Sequence, residues 1–263
     1  MRRRVLTRRS LIVCGALLSL AVAGARTQPP ASKYRIETAS SQPESVAQRF
    51  SNTQLALLEK LNRADLDALD RLPYLVVPVS WDAPELSHTV LPGQHPAAAS
   101  EPKLLIVYLP GQVFGAYEWG VLVRWGPVSS GSADSPTAAG FYHLNWRSPG
   151  HTSTVDPDWF MRWYFNFGNR EGLAFHEYAL PGLPASHGCI RLLERDAQWL
   201  FEWGEGWTLD EHGVRILKQG TPVSIVGEYD FNATPPWRSL TWLGRNVDLA
   251  ALHLRDPEGT ILR

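Results

Sequence analysis

The chain is poor in cysteine: only Cys14 and Cys189 occur among its 263 residues. Cys14 lies within an N-terminal segment that has the pattern of an export signal, so Cys189 is expected to be the one cysteine of the mature protein. A single cysteine excludes an internal disulfide, and a free thiol is a reactive liability outside the cytoplasm. A catalytic role would explain its presence, and we take Cys189 as the candidate nucleophile.

The chain also lacks an apolar run long enough to span a membrane. The N-terminal run at residues 11–23 is shorter than the ~20 residues that a spanning helix needs, and it follows a cluster of arginines and precedes small residues suited to cleavage. Residues 1–25 are therefore predicted to be a signal peptide, with an uncleaved anchor as the alternative. We expect an exported protein in the periplasm or cell envelope, without a membrane span after cleavage. Residues 7–12 also fit a twin-arginine signal, so the export route stays open.

An excess of positive charge is absent as well. The formal net charge is −1, and loss of residues 1–25 removes five arginines and no acid, which leaves 20 basic and 26 acidic residues. Proteins that bind nucleic acid usually present a basic surface. Nucleic acid is therefore not an expected partner.

The residues around Cys189 favour an activated thiol. Positive charge, a histidine or a helix N-terminus lowers the pKa of a thiol from its ordinary value of about 8.5. His187 and Arg191 flank the cysteine, and Gly188 permits a tight turn whose backbone N–H groups point at an oxyanion. Apolar residues follow at helical spacing: Leu192, Leu193, Ala197, Leu200 and Phe201. The sequence thus predicts a low-pKa cysteine just ahead of a helix.

A second histidine, His176, precedes this motif, although spacing alone does not establish a Cys–His pair. The run from His176 to Arg191 resembles the signature of the YkuD-type L,D-transpeptidase family, a histidine followed by Ser-His-Gly-Cys, a hydrophobic residue and Arg or Asn. Residues 104–108 and the Val-Ser-Ser-Gly turn at residues 128–131 are similar to the opening strand and turn of that domain. The resemblance covers residues 103–227.

Short β-strands at regular intervals predict the fold class. The predicted strands are residues 103–109, 113–119, 121–128, 141–146 and 221–227. We expect a mainly β domain with helices, and the resemblance implies a β-sandwich or open barrel in which the catalytic cysteine lies just before a helix. A small N-terminal α/β piece precedes this domain.

The rest of the chain divides by composition. The predicted segments are a polar linker at 26–50, a small segment at 51–79, a second linker at 80–102, the catalytic domain at 103–227 and a C-terminal tail at 228–263. Leucines at near-helical spacing and a short strand at residues 74–78 make the second segment similar to half of a LysM glycan-binding module. A plain packing element is the alternative, and we favour it. The tail is assigned no function.

The resemblance implies an exported peptidoglycan enzyme that needs no cofactor or metal. Cys189 would attack a tetrapeptide stem, release D-alanine and form a thioester, with peptidoglycan stem peptides as partners and carbapenems as inhibitors. His176 would take the thiol proton, while His187 and the backbone at Gly188 would position the oxyanion. Ser186 and Arg191 would support the loop or bind a substrate carboxylate.

Three alternatives remain open. An L,D-carboxypeptidase would use the same chemistry with water as the acceptor, and a wall-binding protein would have no catalysis. An NlpC-type peptidase normally has its cysteine before its histidine, which is the reverse of the order here. A zinc site at His176, His187 and Cys189 would need an arrangement that the motif does not indicate.

Several other residues are secondary candidates for the site. His143 and His151 are candidates to support the catalytic residues, whereas four histidines are predicted to lie on the surface: His88, His95, His212 and His253. The aromatic segment at residues 159–167 is predicted to be mainly core, with one or two rings lining the substrate groove. The sequence departs from the family pattern at Ala138, where proline is usual, and at Glu177, where a small residue is common. We expect Glu177 to orient His176 through its carbonyl oxygen.

Overall fold

The computed structural model describes residues 33–38, 44–153 and 156–252. The predicted signal peptide, Cys14 and His253 lie outside the described residues. Within them, no helix is long and apolar enough to cross a membrane.

The described chain is built mainly from strands. The strands are β1 Tyr34–Thr38, β2 Tyr74–Pro78, β3 Leu104–Tyr108, β4 Val113–Glu118, β5 Val121–Ser129, β6 Gly140–His143, β7 Arg147–Thr152, β8 Phe160–Gly168, β9 Leu173–Glu177, β10 Ile190–Leu192, β11 Thr208–Leu209, β12 Ile216–Lys218 and β13 Pro222–Val226. The α-helices are α1 Val46–Arg49, α2 Asn52–Asn62, α3 Leu66–Leu69, α4 Glu194–Trp203 and α5 Leu240–Leu243. Short 3-10 helices occupy Glu85–His88, Pro96–Ala98, Leu109–Gly111 and Pro236–Arg238.

Nine of the strands form one curled sheet in the order β6-β13-β3-β4-β5-β10-β9-β8-β7. Most neighbours are antiparallel, but β13 pairs with β3, and β10 with β9, in parallel. Strand β3, the third in this order, is a continuous apolar run, as expected of a strand whose two faces are both covered. The mainly β fold class is confirmed, in its open-barrel form.

The hydrophobic core of this sheet lies against α4. Leu105, Phe114, Phe165 and Leu192 are fully buried there, and Leu200 of α4 packs among them. Helix α4 begins at Glu194, after the cysteine in the chain, as predicted. Strand β10 lies between them, so the helix N-terminus does not directly follow the thiol.

The N-terminal and C-terminal segments share a second core. Tyr34 of β1, Leu61 of α2 and Val76 of β2 are buried together with Trp237 and Leu243 from the tail. Strand β1 lies inside the segment predicted to be a linker, and it pairs with β2 in antiparallel register. Five residues with two charged side chains gave too short an apolar pattern to be recognised as a strand. The tail is thus a packing element of the fold.

Two histidines of the predicted linker at 80–102 are buried, which corrects the prediction that they lie on the surface. His88 is 4% exposed and its Nδ1 lies 3.0 Å from the Tyr34 hydroxyl, while His95 is 5% exposed. Burial lowers the pKa of both imidazoles below the ordinary value. The linker runs beneath other elements, because its Val90 and Leu91 join the core next to β4 and β5. His212 is exposed, as predicted.

Candidate active site

The predicted site residues meet in one cavity of about 240 Å³ on the face of β8, β9 and β10. The cavity is lined by Trp146, His151, Ser153, Trp159, Met161, Tyr164, Asn166, Asn169, Glu171, Gly172, His176, Tyr178, Ser186, His187, Cys189 and Arg191. Five of the six residues singled out from the motif are therefore on its wall. Gly188, the sixth, is buried in the loop behind it.

Parallel pairing of β9 and β10 brings the proposed base close to the nucleophile. His176 is the register partner of Arg191, and Cys189 directly precedes β10. Side chains alternate along a strand, and paired residues share a face, so Cys189 and Arg191 lie on the same face as His176. The sheet thus places a thiol, an imidazole and a guanidinium side by side.

His176 is held as a neutral imidazole. Its Nδ1 lies 2.9 Å from the carbonyl oxygen of Glu177, and since a carbonyl only accepts, Nδ1 carries the proton and Nε2 keeps its lone pair. Burial lowers the pKa of His176 to about 4, and the nearby Arg191 charge acts in the same direction. The side chain is therefore a neutral imidazole at neutral pH, and its Nε2 is suited to accept a proton. The expected role of the Glu177 carbonyl is confirmed.

The thiol of Cys189 is also held in its neutral form. Its Sγ lies 3.5 Å from the carbonyl oxygen of Gly172 and donates to it. Burial raises the pKa of the thiol above its ordinary value, although the Ala174 backbone and Arg191 partly oppose that shift. The prediction of a low-pKa cysteine is therefore wrong for this structure. The sequence shows the flanking charges but not the extent to which the sheet removes the thiol from water.

The turn before the cysteine is closed by Ser186. The Ser186 hydroxyl donates to the carbonyl oxygen of Cys189 and accepts from the Gly188 N–H at 3.1 Å. Gly188 has a φ of +104°, which a side chain would strain. Because its N–H is already bonded, Gly188 does not offer a free donor to an oxyanion in this state.

A second layer of hydrogen bonds fixes this turn from behind. The Ser130 carbonyl accepts from the Ser186 N–H at 3.0 Å, and Gln112 bonds both the backbone N–H and the hydroxyl of Ser130. The Thr137 hydroxyl donates to the Gly188 carbonyl at 2.7 Å. The sequence gives no local signal for this role of Thr137, which directly precedes Ala138. Its hydroxyl also accepts from the Gly131 N–H at 2.9 Å, so the threonine links two loops behind the cavity.

His187 and Arg191 each lie against an aromatic ring. His187 is exposed and its ring centroid lies 5.1 Å from that of Trp159. The Arg191 guanidinium lies 4.6 Å from the centroid of Tyr178, and burial lowers its pKa. Both side chains line the cavity, and the Arg191 guanidinium favours an anionic or carboxylate-bearing ligand.

An aromatic wall forms the far side of the cavity. The rings of Trp146, His151 and Tyr164 are in mutual contact, with 4.4 Å between the centroids of His151 and Tyr164. From the aromatic segment, Trp159 and Tyr164 reach the cavity, whereas Phe165 is buried in the core. Of the two secondary histidines, His151 lies on the wall.

Within residues 33–38, 44–153 and 156–252, three or more His, Cys, Asp or Glu side chains do not converge as they would around a metal ion.

Comparison with known proteins places this site in a family. Residues 102–225 match the family model YkuD, the L,D-transpeptidase catalytic domain. A search of curated proteins gave no match.

Solved structures with similarity to the chain include several L,D-transpeptidases. One is the L,D-transpeptidase (Yku) from Stackebrandtia nassauensis, 24% identical over 49% of this chain and 57% of that chain, with a TM-score of 0.39. Another, from Xylanimonas cellulosilytica, is 29% identical over 47% of this chain and 59% of that chain, with a TM-score of 0.37. L,D-transpeptidase 3 from Mycobacterium tuberculosis, solved with a faropenem-derived adduct, is 22% identical over 47% of this chain and 60% of that chain, with a TM-score of 0.37. The similarity thus spans less than two thirds of each relative.

The family match contains every residue that lines the cavity and every residue of the motif. Residues 102–225 of this chain belong to the YkuD family of L,D-transpeptidase catalytic domains.

Proposed function

We propose that the protein is an exported peptidoglycan L,D-transpeptidase that acts through a thioester at Cys189. The observation that carries the proposal is the shared cavity in which Cys189 and His176 lie on one face of paired parallel strands. A thiol next to an oriented, unprotonated imidazole is an arrangement for nucleophilic acyl transfer.

The reaction begins with attack by the Cys189 sulfur, whose proton passes to Nε2 of His176 as the attack proceeds. The sulfur attacks the carbonyl carbon of the third residue of a tetrapeptide stem, so the S–C bond forms as the carbonyl oxygen gains negative charge. Collapse of this intermediate breaks the bond to the terminal D-alanine, whose nitrogen takes the proton from His176. A thioester remains. An amine from a second stem attacks it, His176 takes the amine proton, and the S–C bond breaks as that proton passes to the sulfur, which restores the thiol.

The pKa shifts indicate when the proton moves. Burial raises the pKa of Cys189 and lowers that of His176 to about 4, so both groups are neutral before substrate binds. A stable thiolate–imidazolium pair is thereby disfavoured, and proton transfer must accompany attack on the carbonyl. Substrate that displaces water from the cavity, and a thiol that turns away from Gly172, would complete the reactive geometry.

Two side chains of the motif, Arg191 and His187, would provide recognition. Arg191 would bind a substrate carboxylate, and His187 at the rim would support the oxyanion together with the backbone N–H of Cys189. The aromatic wall offers an apolar surface for the stem and excludes water from the thioester.

The test is incubation of the mature protein with a disaccharide-tetrapeptide, with products identified by mass. A cross-linked dimer that lacks one D-alanine is expected. A tripeptide would instead indicate that water is the acceptor. Cys189→Ala is the matched control, and an unchanged substrate with the wild-type protein would overturn the proposal and favour a binding role.

A further inference from the structure

The loop that joins the proposed base to the proposed nucleophile is held by the N-terminal segment. We define the connecting loop as residues 178–186 and the N-terminal brace as residues 52–78, which comprises α2, α3 and β2. Asp65 of the brace contacts Leu180 of the loop twice: the Leu180 N–H donates to Asp65 Oδ2 at 2.7 Å, and the Asp65 N–H donates to the Leu180 carbonyl at 2.9 Å. Ala64 and Pro181 form a bridge beside them.

A glycine in the loop extends this contact. The Gly182 N–H donates to the Arg63 carbonyl at 3.1 Å. Gly182 has a φ of +82°, and a Cβ there would approach the Leu72 side chain to 2.9 Å. The loop is therefore shaped to lie against the brace, and a side chain at Gly182 would strain the backbone and crowd Leu72.

The brace is itself fixed to the catalytic domain at three other places. Lys60 Nζ donates to the Trp125 carbonyl of β5 at 2.8 Å, and Arg195 of α4 forms an ion pair with Glu59 at 2.5 Å. Arg63 Nε donates to the Gly111 carbonyl at 2.9 Å. The side chains of Lys60 in α2 and of Arg63, the residue that caps α2, point into the protein and are only 4% and 1% exposed. A glycan-binding module would need polar groups on a free surface, and this segment uses them for anchoring.

The two carboxylate oxygens of Asp65 accept separate hydrogen bonds. Its Oδ1 accepts from the Ala68 N–H at 2.9 Å and caps α3, while Oδ2 holds Leu180. A carboxylate has two acceptor oxygens, whereas asparagine has one and would present an NH₂ group to the second N–H. Asparagine is as good an N-cap as aspartate. Asp65→Asn is therefore expected to keep the cap and lose the contact with Leu180.

We propose that residues 52–78 are a structural brace, and not a glycan-binding module, in which Asp65 is a positioning residue for the loop between His176 and Cys189. The predicted effect on acylation rests on the proposed function, whereas the predicted effect of Asp65 on the position of the loop does not. If the loop is released, Ser186 at its end loses its fixed position relative to His176 in β9, and acylation slows without loss of any group that touches substrate.

The experiment compares Asp65→Asn and Asp65→Ser with Ser51→Ala in the full mature chain. Ser51 caps α2 by accepting from the Gln54 N–H at 3.4 Å, so the control weakens the same segment without touching the loop. Hydrogen exchange at the Leu180 and Gly182 amides reports loop holding. The rate of thioester formation with a carbapenem, followed by intact mass, reports catalysis.

In both Asp65 variants, hydrogen exchange at the loop amides is expected to be about tenfold faster than in the wild type. Acylation of Cys189 by the carbapenem is expected to be about 10- to 100-fold slower. Ser51→Ala should stay within about twofold of the wild type in both measurements, since its cap is distant from the loop. Wild-type exchange in Asp65→Asn, or acylation no slower than in Ser51→Ala, would overturn the proposal. If the wild-type protein forms no thioester, the proposed function fails, and the exchange data alone decide whether Asp65 holds the loop.

Discussion

Acidification should destabilise this protein through His176. The pKa of this buried imidazole is about 4, against an ordinary value of 6.5, because burial disfavours the charged form. The unfolded chain therefore binds a proton between these two values that the folded protein does not bind. The stability from neutral His176 is fully present above pH 6.5 and is lost as the pH falls towards 4.

The size of the loss follows from the shift. Each pKa unit corresponds to about 1.4 kcal/mol, so proton linkage at this single site lowers the free energy of unfolding by about 2 kcal/mol at pH 5 and about 3 kcal/mol at pH 4. A loss of that size is a large part of the ~5–15 kcal/mol that stabilises a typical domain.

The assay is urea unfolding at pH 7, 6, 5 and 4 for the wild type and His176→Asn. Asparagine does not titrate, and its amide can donate to the Glu177 carbonyl as Nδ1 of His176 does. Carboxylates common to both proteins cancel in the difference, so the gap between the two proteins should change by about 3 kcal/mol between pH 7 and 4. If both lose stability in parallel, within about 0.5 kcal/mol, His176 is not a buried neutral imidazole and the account of its pKa is refuted.

Three further predictions follow from the same structure. The rate of iodoacetamide alkylation of Cys189 should inflect above the free-cysteine pKa of about 8.5, because burial raises the thiol pKa; an inflection below that value would restore the activated-thiolate mechanism. Arg124→Met should lower the free energy of unfolding by about 3–5 kcal/mol in urea titrations, because it leaves the Asp196 carboxylate buried without its cation; a loss under ~1 kcal/mol would show that the pair is not needed. In stopped-flow acylation, His176→Ala should be almost inactive, whereas His187→Ala should keep a measurable rate; the reverse ranking would exchange their roles.

Local patterns were enough to predict many of the elements. Strands β3, β4, β5 and β13, together with α4, fall within a few residues of the predicted ranges, because their apolar residues recur at strand or helix spacing over a whole element. The residue types in the motif at Cys189 also indicated a nucleophile and a base, and the structure shows the side chains of the motif around one cavity. A motif of consecutive residues can be recognised from the sequence alone, because its spacing does not depend on the fold.

The properties that depend on distant packing could not be predicted. The sign of the Cys189 pKa shift was predicted wrongly because burial by β8 and β9 outweighs the adjacent Arg191 charge. His88 was expected on the surface because its own segment is polar, yet it contacts Tyr34, 54 residues away. The contact of Asp65 with Leu180 joins residues 115 apart and has no local signal. Burial and long-range hydrogen bonds are set by the order of strands in the sheet.

Intact-mass spectrometry with a carbapenem tests the central claim most directly. A carbapenem presents a strained acyl group, so its capture requires only a nucleophile, a base and an oxyanion pocket. We predict one covalent adduct on the wild-type protein, no adduct on Cys189→Ala, and a much slower adduct on His176→Ala. An adduct that persists on Cys189→Ala would place the chemistry on another residue and contradict the account.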